Sequence, residues 1–470
     1  MMFEEIHLSQ EAVNRIHETS MRLLANVGVV FPSEKALGFF RAHGVRVTDG
    51  RAFLTEAQVW DALKTAPLQF TLHARNSQRD VTVGHGISVF APGYGAPFLV
   101  DPEAGKRAPT LADYHNLVQI VHELPNQDMS GFLLVEPGDV DAGTAHLHML
   151  HAHMVHSDKP LLGSAAGTAG ARATMEMAAI LFGRSVQDWP FCAGLINSLS
   201  PLGYSAEMLD ALMEYARWGQ PLIIAALAMA GSTGPVTLAG VLAQQNAELL
   251  AGIVLAQLIN PGAPVIFGST STNIDMRRGA LAIGSPELSQ MIGAHAQLAR
   301  FYHLPSRSGG ALTDANYPDA QAGFESALAL LTCVNSGVDF VLHAGGILSA
   351  YLAFSYEKLV LDDELCGMVR RFRQPIEVTP ETLAYDVVAK VGPGGNYLME
   401  ESTLGRCRTE FYRPSVCDRG GLEAWEAGGK QDAVARARRR WQKLLREHCD
   451  PELDALTARQ LNAYLQEHGA

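Results

Sequence analysis

The side chains that could do chemistry stand directly after a series of short apolar runs. Tyr94 lies between glycines in PGYG, and His343 closes the run VDFVLH. Asn197 and Thr313 each follow another run, and Phe354 lies in the segment AFSYEK after His343. Small and neutral polar residues dominate these positions, and few groups there exchange a proton near neutral pH. The inventory predicts a cavity for a sizeable ligand, with modest equipment for acid–base catalysis.

Each of these residues also has a structural interpretation, which the sequence alone leaves open. Tyr94 could pack within its own loop, and His343 could be a buried histidine whose hydrogen bonds are satisfied. Phe354 and the nearby Tyr356 could close a pocket or pack one face of a helix. We favour a functional interpretation of Tyr94 because the glycines on either side leave its ring little local cover.

Several other chemistries lack the motifs that they need. The sequence contains no GxGxxG with an acidic partner, no GxxxxGK[ST] and no GxSxG elbow. A histidine-rich helical stretch invites a metal-binding interpretation, but its histidines spread around the helix and form no HExxH. We therefore predict no metal site from this stretch, which holds His146, His148, His151, His153 and His156.

Composition and charge place the chain among globular enzymes of a reducing compartment. The net charge is −13, which argues against a nucleic-acid surface. The longest apolar stretch, Leu249 to Phe267, is interrupted by polar residues and prolines, so we predict no membrane span. The N-terminus has no basic-then-apolar signal peptide, and the six cysteines form no CxxC pair. These features predict a cytoplasmic protein.

The elements that must position the candidate residues follow a regular rhythm. Short apolar runs alternate with helical stretches, which is typical of a parallel sheet. Eight such units predict a closed (β/α)8 TIM barrel with its site at the strand ends, and an open doubly wound sheet is the alternative. The predicted strands are 87–91, 129–135, 160–164, 190–196, 221–227, 264–269, 304–310 and 338–343.

Extensions flank the predicted barrel, which we assign to residues 87–360. Residues 1–86 should form a helical and short-strand extension, with helices that begin at Ser9 and Ser33 and end at glycines. Residues 361–470 should be helical, broken at VGPGGNYL, and packed on the barrel.

Several motifs, in order along nearly the whole chain, resemble the trimethylamine methyltransferase family. They are APGYGAPFLVD, SDKPLLGSAAG, INSLSPL, SGGALTDANYPDAQAGFESA, FSYEKLVLDDE, VGPGGNYLMEESTL and RPSVCDRGGLEAWEAGGKQD. The resemblance implies a (β/α)8 barrel that moves a methyl group from a methylated amine to the cobalt(I) of a separate corrinoid protein. It also implies that the chain holds no permanently bound cofactor, because the partner supplies the corrinoid (cobalamin). Members that act on trimethylamine carry pyrrolysine, and this chain has only standard residues; the region that we align with the pyrrolysine loop is Ser308 to Asn316.

Members without pyrrolysine resemble glycine betaine:corrinoid methyltransferases, and this likeness gives the candidate residues their roles. Tyr94 and Phe354 would form an aromatic wall for the quaternary ammonium, and His343 would donate to the carboxylate. Asn197 and Thr313 would add polar contacts. No residue is assigned a catalytic role beyond positioning. Closure of the barrel should bring Tyr94 and His343 together.

Some alternatives stay open at this stage. The substrate could be proline betaine, carnitine or trimethylamine, or the barrel could bind methylated amines without catalysis. A different barrel activity on a corrinoid or tetrapyrrole-like ligand is a further alternative. The sequence also leaves open whether the chain is a monomer or a homo-oligomer.

Overall fold

The computed structural model describes residues 8–470. The first seven residues of the predicted N-terminal extension lie outside the described residues. The strands are β1 (Val29–Val30), β2 (Arg46–Thr48), β3 (Arg51–Phe53), β4 (Phe70–Leu72), β5 (Val81–Val83), β6 (Val89–Phe90), β7 (Phe98–Asp101), β8 (Gly105–Arg107), β9 (Leu161–Gly163), β10 (Cys192–Asn197), β11 (Leu222–Ala226), β12 (Met229–Ala230), β13 (Val265–Ser269), β14 (Thr272–Asp275), β15 (Ala280–Ala282), β16 (Ser306–Gly309), β17 (Phe340–Leu342), β18 (Ile347–Leu348) and β19 (Ala353–Phe354).

The helices account for most of the remaining chain. They are α1 (Gln10–Asn26), α2 (Glu34–Ala42), α3 (Glu56–Leu63), α4 (Leu111–Glu123), α5 (Ala145–His156), α6 (Gly167–Phe182), α7 (Ala206–Arg217), α8 (Leu238–Ile259), α9 (Pro286–Phe301), α10 (Ala320–Asn335), α11 (Tyr356–Arg373), α12 (Pro380–Leu383), α13 (Tyr385–Val391), α14 (Glu401–Arg406), α15 (Leu422–Ala427), α16 (Ala433–Glu447) and α17 (Ala455–Glu467).

Seven parallel strands form a curled sheet in the order β6-β17-β16-β13-β11-β10-β9. An eighth segment closes the ring between β9 and β6. The Asp128 amide donates to the Phe90 carbonyl (2.8 Å), the Ser130 amide to Pro160 (2.8 Å), and the Leu162 amide to Gly131 (2.9 Å). The predicted TIM barrel is confirmed, and the open-sheet alternative is excluded because the last strand pairs with the first.

The predicted second strand, 129–135, is wrong as a strand although the segment fills its place in the barrel. Gly131 has a φ of 86°, and the Leu134 amide donates to the Phe132 carbonyl at 2.9 Å, which makes a tight turn. Its hydrogen bonds to the neighbouring strands form isolated bridges at Gly131 and Val135 and no continuous ladder. An apolar run does not reveal a turn when its turn-forming residue is a single glycine.

The N-terminal extension confirms the predicted helix starts. The side chains of Ser9 and Ser33 accept from the amides of Ala12 and Ala36 at the starts of α1 and α2. Two short antiparallel sheets, β1-β3-β2 and β4-β5, complete the extension. The sequence predicted the second of these but not the first, whose strands have only two or three residues.

The helix α8 is the apolar centre of one side of the molecule. By length and composition it could cross a membrane, but 83% of its most apolar window is buried within the protein. The longest apolar stretch in the sequence, residues 249–267, begins inside α8 and extends beyond its end. Helix α8 packs against α1, α3, α7 and α9, and it buries the charged side chain of Glu248. These contacts make it a core helix of the fold.

The C-terminal part packs on the barrel through its last two helices. Helix α16 lies against α11 and α4, and α17 lies against α5 and α6. Between α11 and α16, residues 374–432 expose many large apolar side chains. Helix α11 runs across the proposed boundary at residue 360, and the domain boundaries remain predictions.

Candidate active site

A cavity of about 390 Å³ opens at the carboxyl ends of the barrel strands. In this fold, the loops after the strands form the binding site. The cavity is lined by side chains from the loops that follow the first four barrel segments, including Tyr94, Phe132, Glu136, Ser164, Asn197 and Met208.

Tyr94 and His343 meet where the first and last barrel strands pair. Strand β6 pairs with β17, and beyond that pair the Tyr94 amide donates to Nδ1 of His343 at 3.2 Å. Because Nδ1 accepts this bond, the proton of the neutral ring lies on Nε2. Burial, together with the charge of Arg307, holds the pKa of His343 well below its usual value. His343 is therefore a neutral hydrogen-bond donor inside the barrel mouth.

Left-handed backbone turns His343 toward the barrel interior. The φ of His343 is 60°. Val341 lies on the helix-facing side of the strand, because its side chain and that of Leu330 of α10 both approach Gly310. A regular strand would place residues 341 and 343 on the same side. The ring of Tyr351, another left-handed residue with a φ of 74°, lies 4.9 Å from that of His343. Such conformations outside glycine are uncommon and concentrate at functional sites.

Arg307 is a buried cation that the sequence analysis missed. It lies on β16 with 3% of its surface exposed, and its Nε has no hydrogen-bond partner among residues 8–470. Burial lowers its pKa to about 10, so it stays protonated at neutral pH. Its charge acts on the Tyr351 phenol, the Cys333 thiol and the His343 ring, and no carboxylate of the described residues forms an ion pair with it. A buried charge without a counter-ion is costly, which makes this position suitable for an anionic ligand group.

The signal for Arg307 was present in the sequence. The run LPSRSGG contains a single charged residue in a predicted buried strand. Ser308 interacts with Cys333 of α10, on the helix-facing side, so strand alternation directs Arg307 to the interior. The buried hydroxyl of Tyr351 lies near the Thr270 side chain and makes no well-formed hydrogen bond within the described part of the chain. The side chains of Arg307 and Tyr351 thus lie beside His343, and none of these three residues lines the 390 Å³ cavity.

Asn197 lies at the end of β10 on the same cavity as Tyr94, and its side chain is exposed. The loop that follows it is held from α8. Glu248 accepts from the hydroxyls of Ser198 (2.6 Å) and Ser200 (2.7 Å) and from the Leu202 amide (2.9 Å). One buried carboxylate therefore sets the conformation of the motif INSLSPL.

Phe354 and Thr313 are fully buried and do not line this cavity. Phe354 packs behind the Tyr94 loop, where a Cβ on Gly93 or Gly346 would lie 2.7 Å or 2.2 Å from its ring. Thr313 donates to Glu325 of α10 at 2.5 Å. Both residues support the loops on which Tyr94 and His343 depend.

Helix α11 holds the mouth from outside, through the buried charges of the motif FSYEKLVLDDE. Lys358 donates to Asp362 at 2.6 Å and to the Ser326 hydroxyl at 2.9 Å. Asp362 also accepts from the Gly346 amide at 2.9 Å, just after His343. This ion pair connects the eighth strand's loop to α10 and α11.

The other charges of that motif bind the rest of the chain. Asp363 accepts from the Asn126 amide, before the segment that closes the barrel. Glu364 accepts from the Ser415 amide and hydroxyl at 2.7 Å. Glu357 accepts from Arg438 and Trp441 of α16 at 3.0 Å. Each carboxylate is neutralised or hydrogen-bonded by a different element.

Comparisons with known proteins agree with this architecture. The family model "Trimethylamine methyltransferase (MTTB)" matches residues 4–470. A crystal structure of the monomethylamine methyltransferase MtmB of Methanosarcina barkeri aligns with a TM-score of 0.54 over 94% of each chain, at 11% identity. That likeness supports the barrel fold.

Three relatives share the full length of the chain. Glycine betaine methyltransferase of Desulfitobacterium hafniense (strain Y51) is 46% identical over 98% of this chain and 97% of the relative. Proline betaine:corrinoid methyltransferase of Eubacterium limosum is 34% identical, over 99% and 98%. Trimethylamine methyltransferase MttB of D. hafniense (strain DSM 10664 / DCB-2) is 30% identical, over 98% and 93%. The resemblance predicted from the motifs is confirmed: the chain is a methyltransferase and belongs to the trimethylamine methyltransferase family.

Proposed function

We propose that this chain transfers a methyl group from glycine betaine to the cobalt(I) of a separate corrinoid protein. The relative that is 46% identical is a glycine betaine methyltransferase. The observation that carries the proposal is Arg307, a buried guanidinium without a carboxylate partner at the barrel mouth. A zwitterionic substrate brings the missing anion.

The carboxylate of the substrate would lie among Arg307, His343 and Tyr351. The guanidinium supplies charge and a planar pair of donors, the His343 ring supplies Nε2–H, and the phenol supplies O–H. Charge-assisted hydrogen bonds of this kind are shorter and stronger than neutral ones. Trimethylamine has no carboxylate, so it would leave all three donors unsatisfied.

The quaternary ammonium would lie against Tyr94, with Asn197 at the rim. An aromatic face attracts a cation by about 0.5–2 kcal/mol. The Glu136 carboxylate lines the same cavity, and together with burial it raises the pKa of Tyr94, which keeps the phenol neutral. Phe354 would contribute by holding the Tyr94 loop from behind, and Thr313 by holding the loop after β16.

The reaction asks little of the protein in acid–base terms, because the substrate leaves as a neutral tertiary amine. When the partner is docked, its corrinoid supplies the cobalt(I) nucleophile that accepts the methyl group. The chain's own residues hold the zwitterion at both ends, exclude water and direct one methyl group out of the barrel. This division explains why the reaction needs hydrogen-bond donors and an aromatic ring from the chain, and no proton transfer.

The rim of the barrel fits a large apolar partner group. Large apolar side chains stand exposed on loops that follow the strands, among them Leu199 (64%), Val236 (72%), Met276 (69%) and Leu352 (59%). Beside the cavity, Gly95 has no heavy atom within 4 Å of the position of a Cβ. An open, apolar rim suits the approach of a flat corrinoid held by another protein.

We also propose a cytoplasmic homo-oligomer. All six cysteines are free thiols in the structure, which suits a reducing compartment. The exposed apolar side chains of residues 374–432 support contact with a second copy.

Calorimetry with two ligands tests the substrate assignment. Arg307→Gln should weaken glycine betaine binding about 10- to 150-fold, because a hydrogen bond to a charged group contributes about 1.5–3 kcal/mol. Choline, a quaternary amine without a carboxylate, should bind both proteins alike. Arg278→Gln, on an exposed loop, is the matched control. Equal losses for choline and betaine, or no loss for betaine, would contradict the carboxylate site.

Turnover separates the enzyme from a silent binding protein. With glycine betaine and the corrinoid partner, the cobalt(I) absorption should decay for the native chain and decay more slowly for Arg307→Gln. Proline betaine and carnitine serve as competing substrates, because they share both charges but differ in size. If betaine binds and the cobalt(I) spectrum never changes, the barrel is a binding protein and the proposed reaction is wrong.

A further inference from the structure

A cluster of histidines and carboxylates lies outside the barrel, between α4, α5 and the end of α16. Nδ1 of His156 and Nε2 of His448 both converge on Oδ1 of Asp450, at 2.5 Å and 2.9 Å. The three ligand atoms lie within 4.8 Å of one another. None of these residues lines the cavity at the barrel mouth, so the proposed methyl transfer does not use them.

A neutral His448 ring cannot donate to both of the carboxylates that it contacts. Its Nε2 faces Asp450, and its Nδ1 faces Oε1 of Glu123 at 2.9 Å. A neutral imidazole has one N–H and one lone pair, so it can donate to only one of these two carboxylates. A metal ion on Nε2 resolves the conflict, because Nδ1–H then donates to Glu123 and the lone pair of Nε2 binds the ion.

The second ring nitrogen of His156 also has a hydrogen-bond partner, as is common for metal-bound histidines. Nε2 of His156 lies 2.7 Å from Nδ1 of His115 on α4. In this pair either ring nitrogen can be the donor, so His115 is able to accept from His156. Histidine ligands commonly donate their second N–H to a carboxylate or another acceptor, which fixes the ring. Here Glu123 orients His448, and His115 orients His156.

The geometry is close to that of a zinc site. Ligand atoms at about 2.0–2.2 Å from zinc stand roughly 3.3 Å apart in a tetrahedral arrangement. The two measured separations are shorter than this by less than 1 Å, as expected for atoms now joined by hydrogen bonds. Asp450 is 48% exposed, so an ion can enter and water can complete the coordination.

We propose that His156, His448 and Asp450 form a binding site for a divalent transition metal of the zinc class. The site fastens the tail of the chain to α5, because Asp450 lies 294 residues after His156. The histidine-rich stretch does not make this site by itself. Only its last histidine takes part, and the other two ligands come from the tail.

Zinc titration of the full-length chain, stripped of metal, tests the site. Calorimetry should find one Zn²⁺ per chain, and Zn²⁺ should raise the melting temperature. Asp450→Ala should lose this binding, and Glu123→Gln should weaken it about 10- to 100-fold. His148→Gln, elsewhere on α5, is the matched control and should bind normally.

Cobalt(II) gives a readout that does not depend on any variant. The visible absorption of Co²⁺ bound to the native chain should report low-coordinate nitrogen and oxygen ligands, and Zn²⁺ should displace it. Absence of saturable Zn²⁺ binding by the native chain overturns the proposal. An equal loss in His148→Gln and Asp450→Ala also overturns it, since binding would then be adventitious.

Discussion

At the scale of single residues, the mouth of the barrel holds donors that the protein leaves without acceptors. Arg307 and Tyr351 each bury a polar atom that makes no well-formed hydrogen bond within the described residues, and the His343 ring lies beside both. His343 and Tyr351 also have left-handed backbone. Unsatisfied buried groups and strained backbone both cost stability. A ligand carboxylate would recover that cost on binding.

Tyr94 is predicted to act through its ring and not through its hydroxyl. Tyr94→Ala should weaken binding of glycine betaine and choline about 2- to 30-fold, since a cation–π contact contributes about 0.5–2 kcal/mol. Tyr94→Phe should keep most of the affinity for both. Calorimetry of the two variants with the two ligands provides the measurement. A Phe variant as weak as the Ala variant would show that the hydroxyl matters instead.

His295 predicts a loss of stability in acid. Its Nε2–H donates to the Phe267 carbonyl (3.0 Å), and its Nδ1 accepts from Gln245 (3.3 Å). Burial lowers its folded pKa from 6.5 to about 4. The neutral ring is therefore favoured by folding, and its contribution of about 3 kcal/mol, present above pH 6.5, is lost as the pH falls toward 4.

Denaturant unfolding at several pH values measures this effect. His295→Gln should have a shallower decline in the free energy of unfolding between pH 6.5 and 4 than the native chain. The exposed His303→Gln is the control and should follow the native curve. Parallel curves for all three proteins would rule out His295 as the source of acid sensitivity.

At the scale of elements, the buried charges of α11 bind this helix to neighbouring elements and have little contact with solvent. Lys358 and Asp362 are almost fully buried and form an ion pair within the helix. Removal of one member of a buried pair leaves an uncompensated charge, which costs about 3–5 kcal/mol. The pair also holds Gly346, so the mouth depends on it.

Asp362→Asn should therefore lower the free energy of unfolding by about 3–5 kcal/mol. The exposed pair of Glu426 and Lys430 has the same four-residue spacing and an N–O distance of 2.9 Å. Glu426→Gln should cost at most about 0.5 kcal/mol. Urea unfolding of both variants gives the comparison, and similar losses would argue that burial of the first pair contributes nothing.

The rhythm of apolar runs and helices made the barrel predictable, and its closure made the meeting of Tyr94 and His343 predictable. The turn at Gly131 was not predictable, because a glycine inside an apolar run also fits a strand. Arg307 was missed because one charge in a short run does not show which side of the strand it occupies. Phe354 packs against Gly93 and Gly346 and does not line the cavity. The sequence did not reveal this packing, because Gly93 lies far from Phe354 along the chain.

At the scale of the whole molecule, exposed apolar side chains are distributed unevenly over the surface. Residues 374–432 leave apolar side chains such as Ile376 (89% exposed), Met399 (88%) and Phe411 (68%) in solvent. The barrel core, in contrast, forms one continuous apolar cluster that reaches from α1 to α17. Large exposed apolar patches mark sites of protein contact.

We predict that the chain forms a homo-oligomer through this segment. Light scattering coupled to size exclusion should give a mass that is a multiple of 50.7 kDa. Combined substitution of Ile376 and Met399 by Ser should shift the mass toward that of one chain. The exposed Leu68→Ser, on the N-terminal side, is the control. A native chain that stays monomeric at all concentrations would contradict this prediction.

The contacts between α11 and the tail have a consequence for how the protein is made. Glu357 leaves the ribosome 81 residues before Arg438, which pairs with it. At about 5–20 residues per second, that delay is roughly 4–16 s. During this interval the nascent barrel has all eight of its segments, but the Glu357 carboxylate of α11 has no partner from α16. We expect a chain that ends before α16 to leave Glu357 without its donors Arg438 and Trp441, and therefore to be less stable than the full chain.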